Sequence, residues 1–272
     1  MPQKKSEIDK ELESGRYLFK YCKFDVNALQ VIINKTLYFS APDKLNDPLD
    51  SNFELEIENS ENFSEKTRDY IKHSGFPINE KVKSMLRDYS LIQNNVDKQK
   101  ELLMEYLYDL QNKYLGICSF SNKAIDQNLM WSHYTNEAKG LCLVFDREQL
   151  AQSLMNNKLR NYRMYKGTVS YDGIKPLDVE INTEGELYST FDHLFSKTKH
   201  WKGEEEYRIV LEKHETDGFN PNIFDPLLKF DDNCLKVIIT GQRMLKEHQK
   251  MLLQLKANNV FEAELKEHKF DR

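Results

Sequence analysis

Three consecutive carboxylates, Glu204, Glu205 and Glu206, stand directly before the alternating run Tyr207-Arg208-Ile209-Val210-Leu211. Carboxylates crowded in this way can stabilise developing positive charge or take up a proton, which are the tasks of an acid–base or electrostatic site. If a strand starts near Glu205, its period of two puts Tyr207, Ile209 and Leu211 on the core face. Glu206, Arg208 and Val210 then share the opposite face, with Glu206 beside Arg208. Two readings stand side by side at this point: a solvated strand end with a structural Glu206–Arg208 ion pair, or a catalytic carboxylate.

A second group of candidates is Trp131, His133 and Tyr134, in Leu129-Met130-Trp131-Ser132-His133-Tyr134. Helical spacing pairs Met130 with Tyr134 and Leu129 with His133, so part of this turn must face a core. Aromatic side chains placed so are more often core than ligand platform. The seven histidines show neither H-x-x-x-H nor H-E-x-x-H spacing, so no metal site is expected. No G-x-G-x-x-G, Walker loop or G-x-S-x-G element occurs, which removes Rossmann dehydrogenases, P-loop NTPases and α/β-hydrolases.

The elements that must position these residues are legible in part. Arg16 to Tyr21 reads as a strand, and Asp25 can cap a helix from Val26 to Asn34 that buries Leu29, Ile32 and Ile33. A second strand, Leu37 to Ser40, runs into a loop containing Asn46-Asp47-Pro48, whose turn chemistry predicts a defined shape. A rigid turn and a ligand-contacting rim are both open readings of Asn46 and Asp47. Residues 60–113 are charged and helical in pattern, with Leu103, Tyr106, Leu107, Leu110 and Tyr114 on one face, as in a helical insertion or lid. Strands follow at Leu115 to Ser121, Leu141 to Phe145 and, more weakly, Val169 to Tyr171; Asp126 leads into the short helix at 129–134. Leu235 to Thr240 is a strand closed by Gly241, and a helix of about fifteen residues bearing Met244, His248, Met251 and Leu252 precedes a short terminal strand.

Length allows a full core, and a single domain over 1–272 with the insertion inside it is expected. The 39 basic and 44 acidic residues are interspersed, giving a net charge of -5 and no extended basic field for nucleic acid. Cys22, Cys118, Cys142 and Cys234 lack C-x-x-C spacing and sit in apolar contexts, so reduced, buried thiols in a cytoplasmic protein are expected. The charged N-terminus has no apolar core and no run reaches the length of a membrane span, so no membrane partner is expected.

The blocks Tyr17-Leu18-Phe19-Lys20-Tyr21, Leu37-Tyr38-Phe39-Ser40-Ala41-Pro42 with Asn46-Asp47-Pro48, Cys118-Ser119-Phe120-Ser121 with Met130-Trp131-Ser132-His133-Tyr134 and Gly140, and Trp201 to Ile209, in that order, resemble the bacterial domain-of-unknown-function 2971 family from about residue 16 to 241. A more distant resemblance is to the ADP-ribosyltransferase superfamily: strand, helix, strand, then Gly116-Ile117-Cys118-Ser119-Phe120-Ser121, a tyrosine-bearing helix with Tyr134, and a strand opening Glu206-Tyr207. Lys20 and Tyr21, with Lys23 close behind, stand where that superfamily usually offers a histidine or arginine.

That second resemblance implies an α+β domain with a split, mostly antiparallel sheet, and an NAD-dependent ADP-ribosyltransferase or NAD glycohydrolase acting in anti-phage defence or as a toxin. It implies catalytic roles for Glu206, Glu204 and Tyr134, and contacts to NAD from Lys20, Tyr21, Ser119, Trp131, His133 and Arg208. The acceptor would be an unidentified protein or nucleic acid. Two alternatives remain: a non-catalytic module that senses a nucleotide or phage component, and a nucleic-acid-directed toxin using charges near Lys197, Lys199, His200 and Lys202.

Overall fold

The computed structural model describes residues 12–268 except 13, 48, 54, 57–78, 89–94, 124–127, 159–161, 174, 176, 182–186, 190–191 and 214–225. Most of the charged N-terminus (residues 1–11), Pro48 and Asp126 lie outside the described residues. Strand β1 (Tyr17–Cys22) leads to helix α1 (Val26–Asn34), whose first turn is capped by Asp25, a side-chain oxygen accepting from Ala28 N at 3.1 Å. Lys35 ends the helix in the left-handed conformation and releases β2 (Thr36–Tyr38). Of the three residues expected to be buried by α1, Ile32 is buried while Ile33 is exposed.

Seven strands form the main sheet, in the order β12-β11-β5-β1-β4-β9-β6. They are β4 (Leu115–Ser121), β5 (Leu141–Asp146), β6 (Tyr162–Thr168), β9 (Glu206–Lys213), β11 (Leu235–Thr240) and β12 (Glu264–Glu267) beside β1. All neighbours are antiparallel except β11 and β12, so the sheet is mixed but mostly antiparallel, as expected for an α+β chain. Two small sheets accompany it: β2 with β10 (Leu227–Lys229), and β3 (Leu55–Glu56) with β7 (Leu177–Ile181) and β8 (Leu187–Ser189).

One joint in the main sheet is almost open. β1 pairs with β5 along its whole length, from Tyr17↔Asp146 to Cys22↔Leu141, but meets β4 only at Phe19↔Ser121. Beyond that pair β4 turns to another partner, and Ile117 and Ser40 exchange two backbone hydrogen bonds at 2.8 Å. The sheet therefore forks between β1 and β4, and the fork leaves room for a cleft.

Both faces of the sheet are covered. Leu18, Leu143, Phe145, Ile209 and Leu211 join α1 residues Ala28, Val31 and Ile32 in one core, while Tyr17, Phe19, Tyr21, Cys142, Val144 and Ile239 join Trp131 in the other. This accounts for the near-continuous apolar run of β5, every residue of which is buried. Among the described residues the other α-helices are α2 (Glu80–Arg87), α3 (Val96–Tyr114), α4 (Asn128–Tyr134), α5 (Arg147–Lys158) and α6 (Lys246–Ala257).

Three local expectations need correction. Val169 to Tyr171 is not a strand; the strand is β6, just upstream, whose mixed run Tyr162-Arg163-Met164-Tyr165-Lys166-Gly167-Thr168 gives no continuous apolar signal. The last helix is α6, shorter than expected, and Met244 precedes it. The described parts of the expected lid are α2 and α3. α3 runs directly into β4 and packs against the loop at 43–53: Asn112 Oδ1 accepts from Asp43 N at 3.1 Å, and Tyr108 O–H donates to Asn52 Oδ1 at 2.9 Å. It braces that loop from outside the cleft.

Candidate active site

A cleft of about 310 Å³ opens at the fork. Its walls come from β1 (Lys20, Tyr21), β4 (Ser119, Ser121), α4 (Met130, Tyr134), the loop residues Asn46 and Asp50, and the segment carrying Lys197, Glu204 and Glu206. Lys20 occupies the place where the ladder is missing. Its ammonium donates to the backbone carbonyl of Ser119 at 3.1 Å and to Cys118 Sγ at 3.5 Å, satisfying β4 groups that β1 does not pair.

The carboxylates reach the cleft through a backbone kink. A 3-10 turn, Lys199–Glu204, ends at Glu205, whose φ of 43° is left-handed, and β9 starts at Glu206. The reversal sends Glu205 outward to Lys123, at 2.6 Å, and leaves Glu204 and Glu206 facing inward. The faces of β9 fall as the alternation requires: Tyr207, Ile209 and Leu211 enter the larger core, while Val210 packs against Leu115, Ile117 and Leu194 on the other side. The strand end is not solvated, because Glu206 is only 3% exposed and Arg208 is 0% exposed, but the Glu206–Arg208 ion pair expected with it is present at 2.7 Å.

Glu206 and Arg208 belong to a buried network of five charges. Arg208 Nε donates to Glu206 Oε1 at 2.7 Å and Nη2 to Glu206 Oε2 at 3.3 Å; Nη1 and Nη2 hold Asp50 at 2.8 and 2.6 Å, and Nη1 also donates to Leu194 O at 2.6 Å. All five guanidinium donors are thereby used within the protein. Arg208 has none left for a ligand and acts by holding Glu206 and Asp50. Lys197, 4% exposed, lies 2.7 Å from Glu206, 2.9 Å from Glu204 and 3.4 Å from Asp50, with its ammonium 5.2 Å from the centre of the Trp201 ring.

These contacts set the protonation states. Burial alone would raise the Glu206 carboxyl, but the Arg208 and Lys197 charges outweigh it and bring it down to about 2. Burial opposes charge on Lys197 and Arg208 as well, yet their carboxylate neighbours hold both above their ordinary values. Tyr134 donates to Glu204 and accepts from Asn46 Nδ2 at 3.0 Å. Burial and then the Glu204 hydrogen bond push its phenol well above the usual range, so it remains a donor. The backbone N–H of Glu206 donates to the Tyr171 hydroxyl at 2.8 Å, and burial raises that phenol to about 12.

The residues expected at the site separate into those that meet and those that do not. Lys20, Tyr21, Asn46, Ser119, Tyr134, Glu204 and Glu206 line one cleft. Trp131 does not: it is buried in the second core, stacked on His268 at 4.6 Å and edge-on to Tyr21 at 5.3 Å. His133 is exposed and is not among the lining residues. Asp47 shapes the loop instead, its carboxylate accepting from Leu49 N at 2.9 Å.

Sequence reasoning missed Asp50 and Tyr171, and treated Lys197 as part of a basic surface with Lys199, His200 and Lys202. Those three have little in common with it, since His200, Lys199 and Lys202 are exposed while Lys197 is buried. The turn composition around Asp50 already explained that residue, so no signal marked it as a charge partner. Among the described residues, no group of His, Cys, Asp and Glu is arranged to hold a metal ion, and no helix is long and apolar enough to cross a membrane.

The class is thus an α+β protein with a forked, mostly antiparallel sheet and a buried network of five charged side chains at the fork. The family model described as "Protein of unknown function (DUF2971)" matches residues 130–209, so the chain carries that family's pattern from α4 into β9. The resemblance read from Met130-Trp131-Ser132-His133-Tyr134 and from the Trp201 to Ile209 block holds there; the blocks near β1 and β2 lie outside the matched residues. Comparison with curated proteins and with solved structures gave no significant match.

Proposed function

We propose that the cleft binds NAD and cleaves its N-glycosidic bond, transferring ADP-ribose to an acceptor or to water. The observation that carries this reading is the convergence of Lys20, Tyr134, Glu204 and Glu206 from separate parts of the chain on one cleft. In the proposed step the bond from C1′ of the ribose to the nicotinamide nitrogen breaks. Its electron pair neutralises the departing pyridinium ring, and positive charge develops on the sugar. Three carboxylates against two cations leave the network one formal negative charge, available to oppose the sugar's charge.

Glu206, held anionic, faces the sugar, and one of its roughly four acceptor positions remains for a ribose hydroxyl after the three contacts to Arg208 and Lys197. Glu204 receives the acceptor's proton as the new bond to C1′ forms. Tyr134 orients Glu204 and offers its ring to nicotinamide. We assign the protein to the cytoplasm, where NAD is at hand and where its free thiols would persist.

The test is nicotinamide release from NAD by the purified protein, with and without lysate as acceptor source, compared with Glu206→Gln. Release that disappears in the variant supports the reading, and absence of both release and calorimetric NAD binding would sink it. One observation favours a second reading, a non-catalytic nucleotide-binding module: both Glu206 oxygens are already ion-paired, which suits a rigid binding floor. Saturable binding of NAD without product would select it.

A further inference from the structure

Lys20 and Tyr38 line a second cavity as well as the first. This one measures about 250 Å³ and lies between the β1–β5 face, α1 and the β2–β10 ribbon. Apart from those two side chains it is lined by different residues. Ala28, Val31 and Leu143 make it apolar, Leu143 standing directly opposite Lys20 in the β1–β5 register. At its edge Tyr38 and Leu227 face each other across the ribbon and are 52% and 39% exposed, an apolar pair left open to solvent beside a hollow. The side-chain amides of Asn27 and Gln30 also line it and make no hydrogen bond among the described residues.

We infer that this second cavity receives the nucleobase end of a nucleotide whose sugar end occupies the Glu204–Glu206 cleft, with the Lys20 ammonium on the phosphate between them. The inference rests on the nucleotide reading of that cleft, but not on turnover there. Each part of such a ligand finds a chemical match. A heteroaromatic ring stacks on Tyr38 and Leu227, and its polar edge needs paired donors and acceptors, which the two amides present. An aliphatic chain would have no use for those amides. Lys20 spends two of its three ammonium donors on Ser119 O and Cys118 Sγ, so one remains for an anionic oxygen at the shared wall.

Calorimetric titration with AMP and with nicotinamide mononucleotide separates the two cavities. Val31→Trp fills the second one; Asn27→Ala, at an exposed position, removes one amide without threatening the fold. AMP affinity is expected to fall at least about tenfold in Val31→Trp and several-fold in Asn27→Ala, on the order of the effect of losing one base contact, while nicotinamide mononucleotide affinity is unchanged. Failure of the wild-type protein to bind AMP, or equal AMP affinity in all three proteins, would overturn the assignment. AMP binding that the two variants weaken, in a protein that releases no nicotinamide from NAD, would retain the second cavity and discard the glycosidic reaction.

Discussion

Asp50 and Arg208, 158 positions apart, meet in a two-point ion pair, with Nη1 and Nη2 of the guanidinium 2.8 and 2.6 Å from the two carboxylate oxygens. Both side chains are withdrawn from solvent. The pair ties the loop after β2 to the start of β9, so the cleft rim and the carboxylates move together. It also fixes the side of Arg208 that does not hold Glu206, which leaves the guanidinium a single orientation.

Removal of one member of this pair leaves the other charged and buried. Arg208→Met is expected to destabilise the fold by about 3–5 kcal/mol, the range seen when a buried pair loses one partner. Urea denaturation of wild type and variant gives the value directly. A change below about 1 kcal/mol would mean that water reaches the network in solution.

Acid should weaken the protein through Glu206. Its carboxyl falls from 4.5 to about 2 on folding, so between those values the unfolded chain binds more protons than the native one. The stabilisation is complete above about pH 4.5 and is lost as pH falls toward 2, on the order of 3 kcal/mol over the interval. Glu206→Gln should flatten this part of the stability profile in pH-dependent denaturant titrations, at the cost of a lower plateau near neutrality.

Tyr134→Phe keeps the ring but removes the donor to Glu204 and the acceptor used by Asn46. Loss of a hydrogen bond to a charged group should cost about 1.5–3 kcal/mol in stability. If NAD is cleaved, kcat should fall more than KM rises, because the hydroxyl positions Glu204 while the ring still meets nicotinamide. Steady-state kinetics on both proteins reads this split.

Gly241 packs so closely on the backbone of Ala138 that an added Cβ would overlap its carbonyl oxygen. The same junction holds the hydrogen bonds from Gly241 N to Gly140 O and from Arg243 N to Ala138 O, both at 2.9 Å. Gly241→Ala is expected to lower stability by about 1–3 kcal/mol or more, since backbone must give way. Gly167→Ala is the control: an added Cβ there would lie 3.5 and 3.6 Å from Phe195 ring atoms, ordinary contact, and the thermal midpoint should hardly change.

The sequence by itself determined what depends on near neighbours. Asp25 announced the start of α1 because a cap acts over three residues, and the span 26–34 follows. β5 was visible because a strand covered on both faces needs apolar side chains almost throughout, and the facing of Tyr207, Ile209 and Leu211 follows from a period of two. Glu204, Glu206 and Tyr134 were singled out by residue type and spacing, and Lys20 and Ser119 by the more distant family resemblance; all five line the cleft.

Tertiary structure decided which of the plausible residues are spent elsewhere. Trp131 and His133 sit on the same short helix as Tyr134, but a helix shows different faces to different neighbours, and only Tyr134 and Met130 turn toward the fork. Asp50 meets Arg208, and Lys197 meets Glu206, only because two loops distant in sequence close over the end of β9. The fork itself has no sequence signature: a strand's composition records how deeply it is buried, while the place where β4 leaves β1 for Ser40 depends on backbone hydrogen bonds that every residue can make.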